Sequence, residues 1–405
     1  MRRRAFLGTA LAFTASRAIG ATPARGGAAD FDAMWHAIEE GYAYFDDASR
    51  ARWHALRERG RLQAARASSD ETLLASLERA IAELRDDHVT IAGAGKSVSR
   101  RIPYDLDIWP RWRGGVATIE AVRTFGDADV AGLHPGQAIT RIQDVPIESV
   151  VREKLGRSAG NVADIEWALR QAIAGPRTGI QRLEVRDANR VAVVPVERTQ
   201  PAPTTAPAFL ARRMGMSERD IGYIRVRVGV AEDLAGQFAG GLVHLGPTRA
   251  LIMDLRESAG PGDRRTTLAI LSRFASAPSP WQVRQPRGGA RITDTVLPSG
   301  TRYAGPVAVL VDRWTAGEGE ALAAGLAAVA RAEIVGTPMS GLRGEVRSLA
   351  LPSGLALRYP AERAFTVAGQ PREEIAPAVP VDLAAPAGGP GDPILYRALK
   401  LLERA

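Results

Sequence analysis

Apolar positions recur at three- and four-residue spacings over residues 31–87. Phe31, Met34, Trp35 and Ile38 form one stripe, and Leu73, Leu74, Leu77, Ile81 and Leu84 form another; such stripes mark helices with one buried face. Ser69 with Thr72 supplies a helix start just before the second stripe. Trp35, Tyr42, Tyr44 and Phe45 read as aromatics packed between these helices, so residues 25–100 are taken as a helical N-terminal domain. Over residues 104–198 the texture changes to short strands. Gly115-Val116-Ala117-Thr118-Ile119 reads as one strand, a Gly- and Pro-containing turn follows at residues 131–136, and residues 138–147 alternate again. Residues 201–207, rich in proline and threonine, read as a linker. From residue 221 onward, apolar strands at 221–228, 250–255, 307–311 and 334–335 alternate with helical runs at 266–274 and 318–330. That alternation predicts an α/β unit over residues 210–405, with a largely parallel sheet under helices.

Three segments of this last unit carry polar groups where apolar strands end. Leu251-Ile252-Met253-Asp254-Leu255-Arg256 runs into Gly260, Pro261 and Gly262. Val307-Ala308-Val309-Leu310-Val311-Asp312 runs into Thr315-Ala316-Gly317-Glu318-Gly319-Glu320. Ile334-Val335-Gly336 runs into Thr337 and Ser340. Their order and spacing resemble the tail-specific (C-terminal processing) and tricorn-like serine peptidases, in which a "DLRxNxGG" loop, a "TASAGE" turn and an "IVGxxTxG" strand follow one another. In the middle segment, Ala131-Gly132-Leu133-His134-Pro135-Gly136 and the strand after it resemble a PDZ domain, with Gln137 where an acid is usual. The resemblance implies a crotonase-like (ClpP-like) peptidase core at 210–405, a PDZ-like β-domain at 104–198 and the helical domain at 25–100. A PDZ-like domain takes a peptide by strand addition, so Gly132, Leu133 and Gly136 are the implied peptide-binding residues, and peptides or protein C-terminal segments the implied partners.

Laid on the "TASAGE" turn, the chain puts Gly317 at the nucleophilic serine. In such a site a serine attacks the carbonyl, a neighbouring base takes its proton, and backbone amides of the glycine loop, here Gly260 and Gly262, stabilise the oxyanion. Glycine has no hydroxyl, and Pro261 within the loop has no N–H to give. The nearest hydroxyls are Thr315 and Ser340. A Ser-Lys dyad is excluded by count, because no lysine lies between Lys154 and Lys400. Asp86-Asp87-His88-Val89-Thr90 matches the family's histidine segment, which makes His88 the implied base. Glu373, with Glu374 beside it, falls where the family's orienting carboxylate stands. The expected function is a serine-type peptidase homologue that binds peptides with impaired or absent proteolysis. An active peptidase using Thr315 or Ser340, and a non-catalytic PDZ-like scaffold, stay open as alternatives.

Composition narrows the surroundings. The 405 residues are 45% hydrophobic and 24% charged, with no cysteine, an ordinary globular balance that leaves no disulfide or thiolate chemistry. The net charge of +8 falls to +4 once the four arginines of the first 24 residues are set aside, and the remaining basic residues alternate with acids, so no nucleic-acid face is expected. Arg3-Arg4-Ala5-Phe6-Leu7 before a short apolar stretch fits a twin-arginine signal peptide over residues 1–24, which implies export to the periplasm. Its apolar run is too short to span a bilayer. No histidine pair or acid spacing suggests a metal site, and no cofactor is expected.

Overall fold

The computed structural model describes residues 26–92, 101–156, 160–175, 178–198, 207–214, 220–229, 233–259, 262–385 and 391–403. The expected signal peptide, Gly260, Pro261 and nearly all of the expected linker lie outside them. Three helices open the described chain: α1 (Gly27–Gly41), α2 (Asp47–Ala65) and α3 (Asp70–Ile81). Asp46 and Ser69 cap α2 and α3 through reciprocal bonds with Ser49 and Thr72, which satisfies amides that would otherwise lack partners. The apolar stripes of α1 and α3 meet over Trp53, but they do not close a core alone. The same cluster contains Ile91 of β1 (Thr90–Ala92) and Leu357 and Tyr359 from far along the chain.

The middle segment contains β2 (Ile108–Arg113), β3 (Val116–Val122), α4 (Asp127–Val130), β4 (Ala138–Ile142), β5 (Val145–Pro146), α5 (Ile147–Leu155), α6 (Val162–Ala174), β6 (Gly179–Asp187) and β7 (Arg190–Arg198). Its sheet runs β2-β3-β4-β6-β7, with β5 paired to β4. Helices α5 and α6 interrupt what the sequence texture suggested was mainly strand. The start of α6 is fixed by the Asn161–Asp164 capping box, and its Trp167, Leu169 and Ile173 are buried in the core of this segment.

The remainder holds β8 (Phe209–Met214), β9 (Ile221–Val226), α7 (Leu234–Leu245), β10 (Ala250–Asp254), α8 (Arg264–Leu271), β11 (Ser279–Pro286), β12 (Ile292–Val296), β13 (Val307–Val311), α9 (Glu318–Ala330), β14 (Glu333–Gly336), β15 (Glu345–Ala350), β16 (Ala356–Phe365), β17 (Val379–Pro380) and α10 (Pro393–Leu402). One sheet runs β17-β14-β13-β10-β9-β8 and is parallel except at the β8 edge. Its inner strands are buried on both faces, as continuous apolar runs require. Leu251, Met253, Val307 and Val309 pack against α7, α8 and α9, whereas Ala250, Ile252, Ala308 and Leu310 pack against α10. A second, antiparallel sheet, β1-β16-β11-β12 with β15 on β16, was not anticipated from the strand–helix alternation. The protein is thus a mixed α/β fold with several sheets.

The middle segment is joined to the parallel sheet through the residues that follow β13. Trp314 is 3% exposed and belongs to the apolar cluster of the middle segment. Its Nε1 donates to the Leu106 carbonyl at 2.6 Å, while Arg313 pairs with Glu120 of β3. Truncating Trp314 to alanine is expected to cost about 3–5 kcal/mol, read as a shift in the urea midpoint. Val243→Ala, at a position 72% exposed, should stay within about 0.5 kcal/mol of the unchanged protein.

Candidate active site

The chain leaves β13 through a turn held by several hydrogen bonds. Asp312 Oδ1 accepts the N–H groups of Glu257 and Trp314, and Ala316 donates to the Ser258 carbonyl at 3.0 Å. Thr315 is fully buried; its hydroxyl accepts from the Asp312 N–H and donates to the Leu255 carbonyl, each at 3.0 Å. Ser340 lies in the loop after β14, not on a strand, and its hydroxyl donates to the Arg313 carbonyl at 2.8 Å. Both hydroxyls named as substitute nucleophiles are therefore committed to the frame of the turn.

Gly317 sits at the N-cap of α9 with φ 55° and ψ −112°. This is left-handed territory that a side-chain-bearing residue occupies only under strain. A Cβ built on Gly317 would meet only one atom within 4 Å, His88 Nε2 at 3.8 Å. The position expected to hold the nucleophile thus faces the expected base, with open space around it. Glu320 holds the turn from inside. Its carboxylate accepts from Gly317 N and Gly341 N, each at 2.8 Å, and from Leu342 N at 3.2 Å. Burial pushes this carboxyl up to about 7, against the opposing influence of Arg372 and the three amides.

His88 stands between α3 and β1, after a turn in which Arg85 has φ 51°. Its Nδ1 lies 2.6 Å from the Arg343 carbonyl. A carbonyl only accepts, so Nδ1 carries the proton and Nε2 presents a lone pair toward Gly317. Burial lowers the pKa of the ring below its ordinary value, although the Arg343 carbonyl and Asp86 oppose this. Burial thus favours the neutral form of the ring.

The carboxylate expected to orient that ring does not fill the role. The acceptor at Nδ1 is the Arg343 carbonyl, while Glu373 lies against Tyr44, its carboxyl pushed up by burial, and Glu374 is exposed. The physical reason is the short turn at residues 372–374. It sends the Arg372 side chain inward, where it donates to the Gly344 carbonyl at 2.7 Å and binds Glu345.

A cavity of about 180 Å³ opens at Gly317, with His88, Glu318, Glu345, Gly262 and Arg372 in its wall. It shares Asp87, Thr90, Arg101 and Ile102 with a groove of about 700 Å³ along α3, β1 and α6. Gly262 is required to be glycine, because a Cβ there would come within 2.6 Å of Glu318 Cβ and 2.4 Å of Val228 Cγ1. Glu318 accepts from Thr267 Oγ1 at 2.6 Å, and burial together with the nearby Glu345 raises its pKa. Glu345 is half-buried, and Arg372 holds it below the usual carboxylate value. Sequence reasoning missed Glu318, Glu320, Arg343, Glu345 and Arg372. The two glutamates of the turn lay in view inside the matched motif; Arg343 acts through a main-chain carbonyl that no side-chain pattern reports. Among the described residues no cluster of three or more potential metal ligands exists, and no helix is long and apolar enough to cross a membrane.

Gly132, Leu133 and Gly136 are not brought to this cavity. Leu133 is a core residue of the middle segment, and Gly136 N–H donates to the Ile119 carbonyl within the turn into β4. The outer edge of β2 is also partly occupied. Pro110 has no N–H there, and the Trp112 N–H already donates to Glu166 of α6 at 3.1 Å. Strand addition at this edge finds few free donors.

Residues 220–381 match Peptidase family S41. In fold the chain is similar to a photosystem II D1 C-terminal processing protease (16% identity, 88% of this chain and 94% of that one, TM-score 0.56). It is also similar to a peptidase from Parabacteroides merdae ATCC 43184 (17% identity, 93% and 96%, TM-score 0.54) and to mature CPAF complexed with lactacystin (14% identity, 94% and 97%, TM-score 0.59). At these identities the likeness is one of fold. No curated protein matches the chain by sequence.

The position of Glu320 gives a pH signature. Its pKa in the folded chain, about 7, lies above the ordinary value of 4.5, so the stabilising preference for the neutral acid is complete below about 4.5. That preference is lost as pH rises through about 7. Urea titrations should therefore show the natural chain losing about 3 kcal/mol relative to Glu320→Gln between pH 4.5 and 8. Parallel pH profiles for the two proteins would contradict this assignment.

Proposed function

We propose that this chain, whose residues 220–381 form a Peptidase family S41 domain, is a serine-peptidase homologue that binds peptides or protein tails and hydrolyses them poorly or not at all. The observation that carries this reading is Gly317: it stands at a helix-capping turn, 3.8 Å from His88 Nε2 when measured from the Cβ it lacks. The base, the turn and the space for a hydroxyl are retained, but the hydroxyl is absent. Losing such a nucleophile removes on the order of a millionfold in turnover.

In this reading a peptide lies in the groove of about 700 Å³ that leads past Asp87, Thr90 and Arg101, and its carbonyl enters the smaller cavity. His88 Nε2 accepts a hydrogen bond from a peptide N–H or from water, with no acyl-enzyme formed. Residues 104–198 are a PDZ-like unit and residues 210–405 a crotonase-like core. The C-terminal processing protease of similar fold points to protein C-terminal segments as the ligand class. The twin-arginine pattern of the first residues directs the chain to the periplasm. The hydroxyl commitments of Thr315 and Ser340 weigh against an active enzyme built on either.

The test is hydrolysis of a quenched-fluorescent peptide library by the mature protein and its variants. The natural chain is expected to be silent. Gly317→Ser should cleave, at a stability cost of about 1–3 kcal/mol for its left-handed backbone. Adding His88→Ala to Gly317→Ser should lower that cleavage by about 10²–10⁴-fold. Cleavage by the natural chain at a rate that Gly317→Ser leaves unchanged would sink the proposal.

A further inference from the structure

The acid that serves His88 does not touch its ring. Asp86, two residues earlier, is buried, and its Oδ1 accepts the His88 backbone N–H at 2.9 Å. Its Oδ2 accepts the Tyr42 hydroxyl at 2.7 Å. The Arg343 guanidinium donates to the same Tyr42 oxygen at 3.1 Å and stands 3.8 Å from Asp86 Oδ2. The carbonyl of that arginine is the group that takes the proton of His88 Nδ1. The contacts close a ring: imidazole to Arg343 main chain, Arg343 side chain to Tyr42 and Asp86, and Asp86 back to the backbone of His88.

We propose that Asp86 and Arg343, bridged by Tyr42, are positioning residues that hold His88 in its Nδ1–H tautomer with Nε2 turned toward Gly317. This rests on reading His88 as the base of the site. Each charge needs the other: a buried carboxylate without its cation is strongly destabilising, and the Arg343 side chain without Asp86 loses a hold that adds to the anchoring of Gly341 and Leu342 by Glu320. Burial and Asp86 raise the Tyr42 hydroxyl well above its ordinary pKa, so it remains a neutral donor between the two charges. The arrangement does the work of a carboxylate on Nδ1 at one remove. It also explains why Glu373 is free to pack against Tyr44 instead.

The test is ¹⁵N NMR of the histidine side chains in the full mature chain, with the His88 signals assigned by their loss in His88→Gln. The natural protein should show one protonated Nδ1 and one lone-pair Nε2. Asp86→Asn and Arg343→Met should lose that single pattern and give averaged nitrogen shifts, whereas Arg343→Lys, which keeps the cation, should retain most of it. The Arg343 side chain is 38% exposed, so Arg343→Met carries the test if Asp86→Asn fails to fold by circular dichroism. An Nε2–H ring in the natural chain, or an unchanged Nδ1–H pattern in folded Arg343→Met, would overturn the proposal. The readout needs neither peptide binding nor turnover. A chain that keeps the clamp but binds no peptide would therefore count against the proposed function alone.

Discussion

The carboxylate of Glu320 accepts N–H groups from two separate stretches of chain: Gly317 in the turn after β13, and Gly341 and Leu342 in the loop after β14. The Leu342 amide is buried and the two glycine amides are half-buried; a buried amide left without an acceptor costs about 1–3 kcal/mol. One side chain therefore fixes the distance between the turn and the loop. The next residue in that loop is Arg343, whose carbonyl holds His88. The facing of His88 toward Gly317 follows from this connection. The tension between burial, which favours the neutral acid, and three amides, which favour the anion, leaves Glu320 near neutrality in its titration.

Around that connection the site is assembled from parts that no single segment contains. The parallel sheet supplies the turn at the end of β13. The helical N-terminal region and β1 supply His88. The antiparallel sheet supplies Glu345 and, with the short turn at residues 372–374, Arg372. The middle segment fixes the turn from the far side by enclosing Trp314. A disturbance in any of these bodies moves one wall of the same small cavity, because closely packed interiors transmit displacement.

The cavity places the His88 imidazole 3.8 Å from the Cβ that Gly317 lacks. Burial favours the neutral form of His88, Glu318 is pushed toward its protonated form, and Glu345 is held ionised by Arg372. These are groups of different proton affinity around one open space, an arrangement that suits holding a polar ligand. Gly317 itself brings no side chain to that space.

The sequence by itself determined the helical stripes of α1 and α3, the doubly buried strands β10 and β13, the start of α9, and the identities of Gly317 and His88 as facing positions. These are local features: periodicity records which face of an element is buried, and a motif records residue types at fixed spacing. It also held the capping box of α6 and the two glutamates of the α9 turn, which a closer reading of the same local signals would have found. Only the tertiary structure decided that the partner of His88 is a main-chain carbonyl 255 residues away, that Glu166 covers the edge of β2, and that Glu345 with Arg372 completes the cavity. It decided the antiparallel sheet as well, because β15 is largely exposed and β16 mixes charged and apolar residues around Pro360. Backbone acceptors have no side-chain signature, and ion pairs between distant elements leave no period in the chain, so both become visible only when the chain folds and brings them together.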